Sequence, residues 1–279
     1  MRAVSRASRK VSSPQLCHVL AEDGDLAEAL PRSCRSEATE SCLAPSLSVP
    51  RGHWIGPHED LTPDGIGLLV LRGLLIRRVS VEGGSGAELL GRGDVLRPWQ
   101  GERTDSILPR TSAWRVLEQA RFAVLDRTAA ARLARYPALT GRLVAKALER
   151  SRNLAIAVAI ARQRQIDVRL HMLFWHLADR WGRVGVHGVI LPLRLTQLML
   201  GDLISAHPAS VGTGLTVLSE QGVLHHSGGE WLLSGDPPWE LLQFHSTWVG
   251  PEARRSTSGP HCATATGEGE PGPLGGRFS

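Results

Sequence analysis

The chain has 279 residues, a formal net charge of +5, 42% apolar and 21% charged residues. This is the composition of an ordinary globular protein, long enough for one large or two ordinary domains, and core size is not limiting. The mild basicity tilts the chain toward anionic partners. It is almost wholly arginine, because lysine occurs only at Lys10 and Lys146. Four cysteines, Cys17, Cys34, Cys42 and Cys262, form no C-x-x-C pair and no paired His spacing. A disulfide framework is therefore not expected; the plain reading is free thiols, with an N-terminal iron–sulfur site as the alternative. No apolar run reaches the roughly 20 residues that span a bilayer, and "MRAVSRASRKVSS" lacks the apolar core of a secretory signal. A cytoplasmic protein with no membrane partner is expected.

Residues 1–46 read as a helical and partly disordered segment: an Arg- and Ser-rich dozen, then "PQLCHVLAEDGDLAEALP", one or two short helices broken by Gly24 and ended by Pro31. From Leu47 the texture changes to short strands. "GIGLLVLRGLLIRRVSV" predicts a hairpin split at Gly73, with strands Leu68–Leu71 and Leu74–Val81. Gly83 to Gly86 reads as a turn, Gly91-Arg92-Gly93-Asp94 as another between two short strands, and "AWRVLEQARFAVLD" as two strands around Glu118-Gln119. Residues 47–136 are thus expected to form an antiparallel sandwich or barrel, closed by a short helix ending at Pro137.

Residues 137–165 predict one long helix. Its heptad seam runs through Val144, Ser151 and Val158 at one position and Ala147, Leu154 and Ala161 at the other, as in a two-stranded coiled coil. Burial in its own domain is the competing reading, because Leu148, Ile156 and Ile160 make another face apolar. Both can hold, with one face on the sheet and one on a second subunit. In residues 166–240, "DVRLHMLFWHLADRWG" is an amphipathic helix and "VGVHGVILPLRL" is extended. Two short helices follow, hinged at Ala206-His207-Pro208, then a hairpin turned at Ser227-Gly228-Gly229. Residues 241–279, rich in Gly, Pro, Ser and Thr, read as a disordered tail.

"RLHMLFWHLADRWG" and "LPLRLTQLMLGDLISAHPASVGTGLTVLSEQGVL" resemble the DNA-binding part of the Crp/Fnr family of bacterial transcription regulators, and "GLLVLRGLLIRRV" and "ELLGRGDVL" resemble the first strands of its cyclic-nucleotide-binding-type roll. The resemblance covers about Leu47 to Pro238. It implies an α+β fold: an N-terminal antiparallel, jelly-roll-like β-roll, a long dimerisation helix and a C-terminal winged helix-turn-helix. It also implies a homodimer that binds double-stranded promoter DNA at an operator, with RNA polymerase as a further partner.

Within that frame Ser210, Thr213 and Ala209 fall on the groove-facing turns of the second helix, and Thr196 starts the first. His207 is either a DNA contact or a helix cap. Arg180, Arg183 and Arg194 flank the unit and supply charge, since Pro208 to Gln221 carries no Arg or Lys. Leu200, Ile204, Val211 and Leu215 are the expected core contacts, and Gly201 the small residue at the helix crossing. Two residues depart from the family pattern: Ser205 stands where the turn often has Gly, and Gly214 replaces an apolar core residue.

In the roll, Glu102, Arg110 and Thr111 resemble pieces of the cyclic-phosphate clamp, but "RTDSILP" lies between them with a proline and no helical pattern. No cyclic nucleotide, metal or other cofactor is therefore expected, nor a haem through His53 or His58. No enzyme signature is present: neither a phosphate-binding loop with Lys, nor G-x-S-x-G, nor H-E-x-x-H. The expectation is a sequence-specific regulator with a degenerate or altered sensor. The alternative is a small-molecule-binding or protein-interaction module whose winged helix no longer binds DNA.

Overall fold

The computed structural model describes residues 15–55, 65–82, 84–98 and 110–238. The N-terminal dozen, the tail, His58 and Glu102 lie outside the described residues. A boundary between compact units falls after Asp236, so the sheet, the long helix and the helix-turn-helix share one unit.

The N-terminal segment is part of the roll. Strand β1 (Leu16–His18) pairs with β2 (Leu43–Val49), and β2 continues onto the main sheet. Between them come α1 (Val19–Glu22), α2 (Gly24–Glu28) and α3 (Arg32–Ser41). Helix α3 was not anticipated; Pro31 precedes it as the cap and does not end the helical region. Asp23 accepts from Leu26 N–H at 3.1 Å and so caps α2. The expected change of texture at Leu47 therefore falls inside β2.

The main sheet is antiparallel, in the order β1-β2-β7-β4-β5. Its centre is β4 (Gly67–Val81) against β7 (Arg110–Leu125); β5 (Gly84–Gly91) borders β4, while β3 (Gly52–Trp54) pairs with β7 and β6 (Val95–Leu96) with β4. Where two hairpins were predicted, the structure has one pair of long strands. The suspected turns at Gly73 and at Glu118-Gln119 face each other as a bulge in a ladder that runs from Gly67↔Leu125 to Val81↔Arg110. Gly73 has φ +98, and a Cβ there would stand 2.5 Å from the Gln119 carbonyl oxygen, so the position demands glycine. The bulge also changes parity. Before it Leu68 and Val70 face one core and Leu69 and Leu71 the other, whereas after it odd-numbered Leu75 joins Leu68 and Val70. Burial on both faces explains why "LLVL" is continuously apolar. The turn read at Gly83–Gly86 is shorter than expected, since Val81 pairs with Gly84.

One core packs Trp54, Trp114 and Phe122 inside the roll, with Trp54 stacked on Phe122 at 5.2 Å. The other joins the N-terminal helices to α4 (Arg127–Ala134) and to the start of α5 (Pro137–Ala161). Helix α5 starts with Pro137 in its first turn, where a missing N–H is harmless. Its buried side includes Lys146, whose ammonium lies 3.3 Å from buried Asp23 and 2.5 Å from Asp25.

The last part is α6 (Ile166–Trp181), strands β8 (Arg183–Gly185) and β9 (Gly188–Leu191), α7 (Gln197–Ile204), α8 (Pro208–Glu220), and strands β10 (Leu224–Ser227) and β11 (Glu230–Leu233). The four strands form a small antiparallel sheet ordered β10-β11-β9-β8. Phe174 packs on Trp231 at 4.7 Å, and the Trp231 indole donates to the Leu193 carbonyl at 3.0 Å, tying helix to sheet.

Candidate nucleic-acid interface

The turn between α7 and α8 is built by Ser205. It adopts φ 54, ψ 52, and the Ala206 N–H donates to the Gly201 carbonyl at 2.9 Å. The left-handed conformation that the family usually gives to glycine is thus made here by serine, at a backbone cost of about 1 kcal/mol. Gly201 is needed for a nearer reason than a helix crossing: a Cβ there would lie 2.5 Å from the Ala206 carbonyl oxygen of the turn. Leu200, Ile204, Val211 and Leu218 are buried, while Leu215 is only half-buried.

Gly214, the second departure, is also explained. It faces α6, where a Cβ would come within 2.8 Å of Leu170 Cδ1 and 3.2 Å of Ile166 Cγ2. The apolar group expected at this position is supplied by α6 instead, and α8 lies closer to it than a side chain would allow.

Each proposed contact residue can now be placed. Ala209, Ser210 and Thr213 are exposed on the first turns of α8. The Thr213 hydroxyl donates back to the Ala209 carbonyl at 3.3 Å, which leaves its lone pairs as acceptors. His207 is the helix cap: its Nδ1 accepts from the Ala209 N–H at 3.3 Å. Because an accepting Nδ1 puts the neutral ring's proton on Nε2, the exposed imidazole is still a donor. Thr196 caps α7 by accepting from Met199 N–H at 3.2 Å, and it too is exposed. Arg194 is exposed and lies against the β10–β11 turn, where a Cβ on Gly229 would be 3.2 Å from its Nε. The wing turn itself uses positive φ at Gly228 (60) and Gly229 (86), the geometry of a tight hairpin.

Two of the flanking arginines sit elsewhere. Arg180 turns toward the roll, donating to Asp94 at 2.7 Å and to the Arg92 carbonyl at 3.1 Å, with its guanidinium 4.6 Å from the Trp181 ring. It fixes α6 to the β5–β6 turn and is not a free cation for DNA. Arg183 is exposed on β8, the sheet edge opposite β10.

On α5 the seam residues Val144, Ala147, Ser151, Leu154 and Val158 are exposed and Ala161 is half-buried. Leu148, expected on the buried face, is 60% exposed and widens the same stripe, whereas Ile160 is buried as expected. Between the roll and α5 lies an open cavity of about 740 Å³, walled by Val79, Leu143 and Trp114 and by the guanidinium-bearing Arg77, Arg97 and Arg150. Arg77 and Arg150 share one carboxylate, Glu88, at 3.1 and 2.6 Å. Thr111 lies outside this wall, exposed at the end of the ladder opposite Ser80, and Arg110 begins the same strand beside it. The sequence reading missed Arg77, Arg97 and Arg150, because arginines on β4, just after β6 and on α5 leave no local motif.

Among the described residues no group of three or more His, Cys, Asp or Glu side chains could hold a metal ion. Burial pushes the Cys17 and Cys42 thiols up from their ordinary values, so both stay protonated and are poor ligands. His53 is exposed on β3. No described helix is long and apolar enough to cross a membrane.

No protein-family model matches the chain, and no curated protein matches it. Solved structures do. A cyclic nucleotide-binding domain containing protein from Listeria monocytogenes is 15% identical with a TM-score of 0.55, over 75% of this chain and 94% of that one. A CooA mutant from Carboxydothermus hydrogenoformans is 17% identical with a TM-score of 0.54, over 72% and 87%. FixK2 from Bradyrhizobium japonicum is 16% identical with a TM-score of 0.51, over 73% and 96%. The chain therefore has the α+β fold of Crp/Fnr regulators.

Proposed function

We propose that the chain is a Crp/Fnr-type transcription regulator that binds promoter DNA as a homodimer and does no enzymatic chemistry. The observation that supports this most is the winged helix-turn-helix, with Ala209, Ser210 and Thr213 exposed on the first turns of α8 and His207 capping it. Most protein–DNA hydrogen bonds go to phosphate and sugar, and hydroxyls and helix N-termini make them without a cation. The α8 dipole is positive at this end; Thr196 is exposed at the start of α7 and Arg194 is exposed against the wing turn. An uncharged reading helix then implies modest direct base readout, with thymine methyl contact from Ala209 and hydroxyl contacts from Ser210 and Thr213.

The homodimer reading rests on the exposed stripe of α5, and RNA polymerase is the further partner that a promoter-bound regulator serves. The roll cavity is the proposed effector pocket in altered form. Cyclic phosphate is a poor fit to it, because Glu88 already neutralises part of the Arg77 and Arg150 charge. The lack of Lys or Arg on α8 favours one second reading, a winged helix that serves as a protein-docking surface. Binding of the full chain to its own promoter fragment at two salt concentrations separates the two. A phosphate-contacting protein loses affinity steeply as salt rises, whereas a docking module shows no binding that exceeds its binding to unrelated DNA.

A further inference from the structure

Trp231 places two side chains on one side of the wing. Its buried indole donates to the carbonyl of Leu193, the residue before Arg194, and its ring packs against the His226 imidazole at 4.2 Å. His226 of β10 and Trp231 of β11 are direct partners across the hairpin, which brings the rings together. Arg194 lies on the wing turn, at a point where a Cβ on Gly229 would crowd it. Arg194, Thr196, His226 and the Gly228-Gly229 turn thus line one open cleft of about 800 Å³. Arg194 and His226 are both exposed. His225, the next residue on β10, is exposed too but takes the other face of the strand and does not line the cleft. Two charged groups of the roll also face the cleft, Arg51 and Glu118, while α7 brings only Thr196 and Met199. Glu230 of β11 lies one rung further along the wing, opposite Ser227.

From this we infer that His226 and Arg194 hold a backbone phosphate of DNA at the wing, and that a proton on His226 supplies charge which α8 lacks. The inference rests on the DNA-binding reading above. On the wing side Arg194 is a fixed cation, and Pro208 to Gln221 adds none. Histidine is the side chain that ordinarily gains its charge between pH 8 and pH 5. A phosphate oxygen set against the ring favours the charged form, and a cation over a Trp ring is attracted to it, so the Trp231 contact survives protonation. Binding at this edge therefore draws in a proton, and affinity for DNA rises as the pH falls. His207 acts in the opposite sense. Its Nδ1 accepts the capping bond from the Ala209 N–H, so a second proton there costs α8 its cap. The two effects lie on different residues, and substitution of His226 isolates the one at the wing.

The test is promoter binding by the full chain at pH 6 and pH 8, each over a series of salt concentrations. Parent, His226→Gln, His226→Arg and His225→Gln are compared, with melting curves at both pH values to confirm the fold. The parent should bind roughly fivefold more tightly at pH 6 than at pH 8, about the largest effect of one exposed ion pair. Its salt dependence should be steeper at pH 6 by about 0.9 in log–log slope, the mark of one more phosphate contact. His226→Gln should lose both differences, His225→Gln should keep both, and His226→Arg should bind at pH 8 as tightly as the parent does at pH 6. A His226→Gln chain that keeps the parent's pH response overturns the inference. So does a His226→Arg chain as weak at pH 8 as His226→Gln, because the ring would then act through packing and not through charge. Promoter binding by the parent with equal affinity and salt slope at the two pH values overturns this inference alone. Absence of promoter binding at both overturns the DNA-binding reading and this inference with it.

Discussion

Gly214 of α8 faces Leu170 of α6 so closely that a Cβ would stand 2.8 Å from Leu170 Cδ1. About half a turn away, Gly212 has only the Gln197 side-chain amide near it, with Nε2 at 3.4 Å. The same substitution should therefore have opposite signs. Gly212→Ala relieves a helix-interior glycine and should stabilise by about 0.8 kcal/mol. Gly214→Ala gains the same propensity but overpacks the α6 contact, for a net loss of about 1 kcal/mol. Thermal melts of the two variants check this, and a stabilising Gly214→Ala would mean that α6 and α8 are not in close contact.

Lys146 is a buried cation of α5, and it holds Asp23, which is itself buried, with Asp25 beyond it. Replacing it with Met keeps the stem but leaves the Asp23 carboxylate without an opposing charge. A loss of about 3 kcal/mol follows, and Asp23→Asn added to Lys146→Met should recover part of it. Denaturant midpoints of the single and double variants measure the difference. Equal midpoints for the two would show that the pair is not coupled.

The imidazole of His176 is pushed below its ordinary value by burial, an effect that nearby Arg180 reinforces and Asp179 opposes. A histidine kept neutral in the fold is protonated more readily in the unfolded chain, so stability falls as pH drops below the ordinary histidine value of 6.5. Melting temperature should decline from pH 7 to pH 5, and His176→Gln should flatten part of that decline. An unchanged slope in the variant would place the titrating group elsewhere.

The proposed dimer rests on α5. Leu154 is 40% exposed in the single chain, so Leu154→Glu disturbs little within a protomer but buries a carboxylate at a coiled-coil contact. Light scattering should report a monomer with a nearly unchanged fold. A variant as dimeric as the parent would move the interface off this stripe.

The order of parts was legible in the sequence because periodicity and turn chemistry act locally. The hinge at Ala206-His207-Pro208, the wing turn and the long α5 all stand where the pattern placed them. What failed was non-local. Gly73 and Glu118-Gln119 look like two turns, and only the register between β4 and β7 shows that they form one bulge. Residues before Leu47 read as an appendage because β1 finds its partner across α1, α2 and α3. In the site, Ser210 and Thr213 were placeable from helical phase alone. Arg180 was misread as a DNA flank because Asp94, which claims it, lies 86 residues away.

The central claim, that α8 reads DNA, is tested most directly by two substitutions about half a helical turn apart. Thr213 is exposed and Val211 is fully buried. Thr213→Asp sets a negative charge against phosphates and should abolish promoter binding while the melting temperature moves by only about 1 °C, as for a surface change. Val211→Asp forces a charge among apolar side chains and should unfold the winged helix. Promoter binding by Thr213→Asp, measured by fluorescence anisotropy at low salt, is the decisive quantity. Loss of binding with an intact fold is the result expected; affinity equal to the parent's would contradict the account and leave α8 as a packing or docking helix.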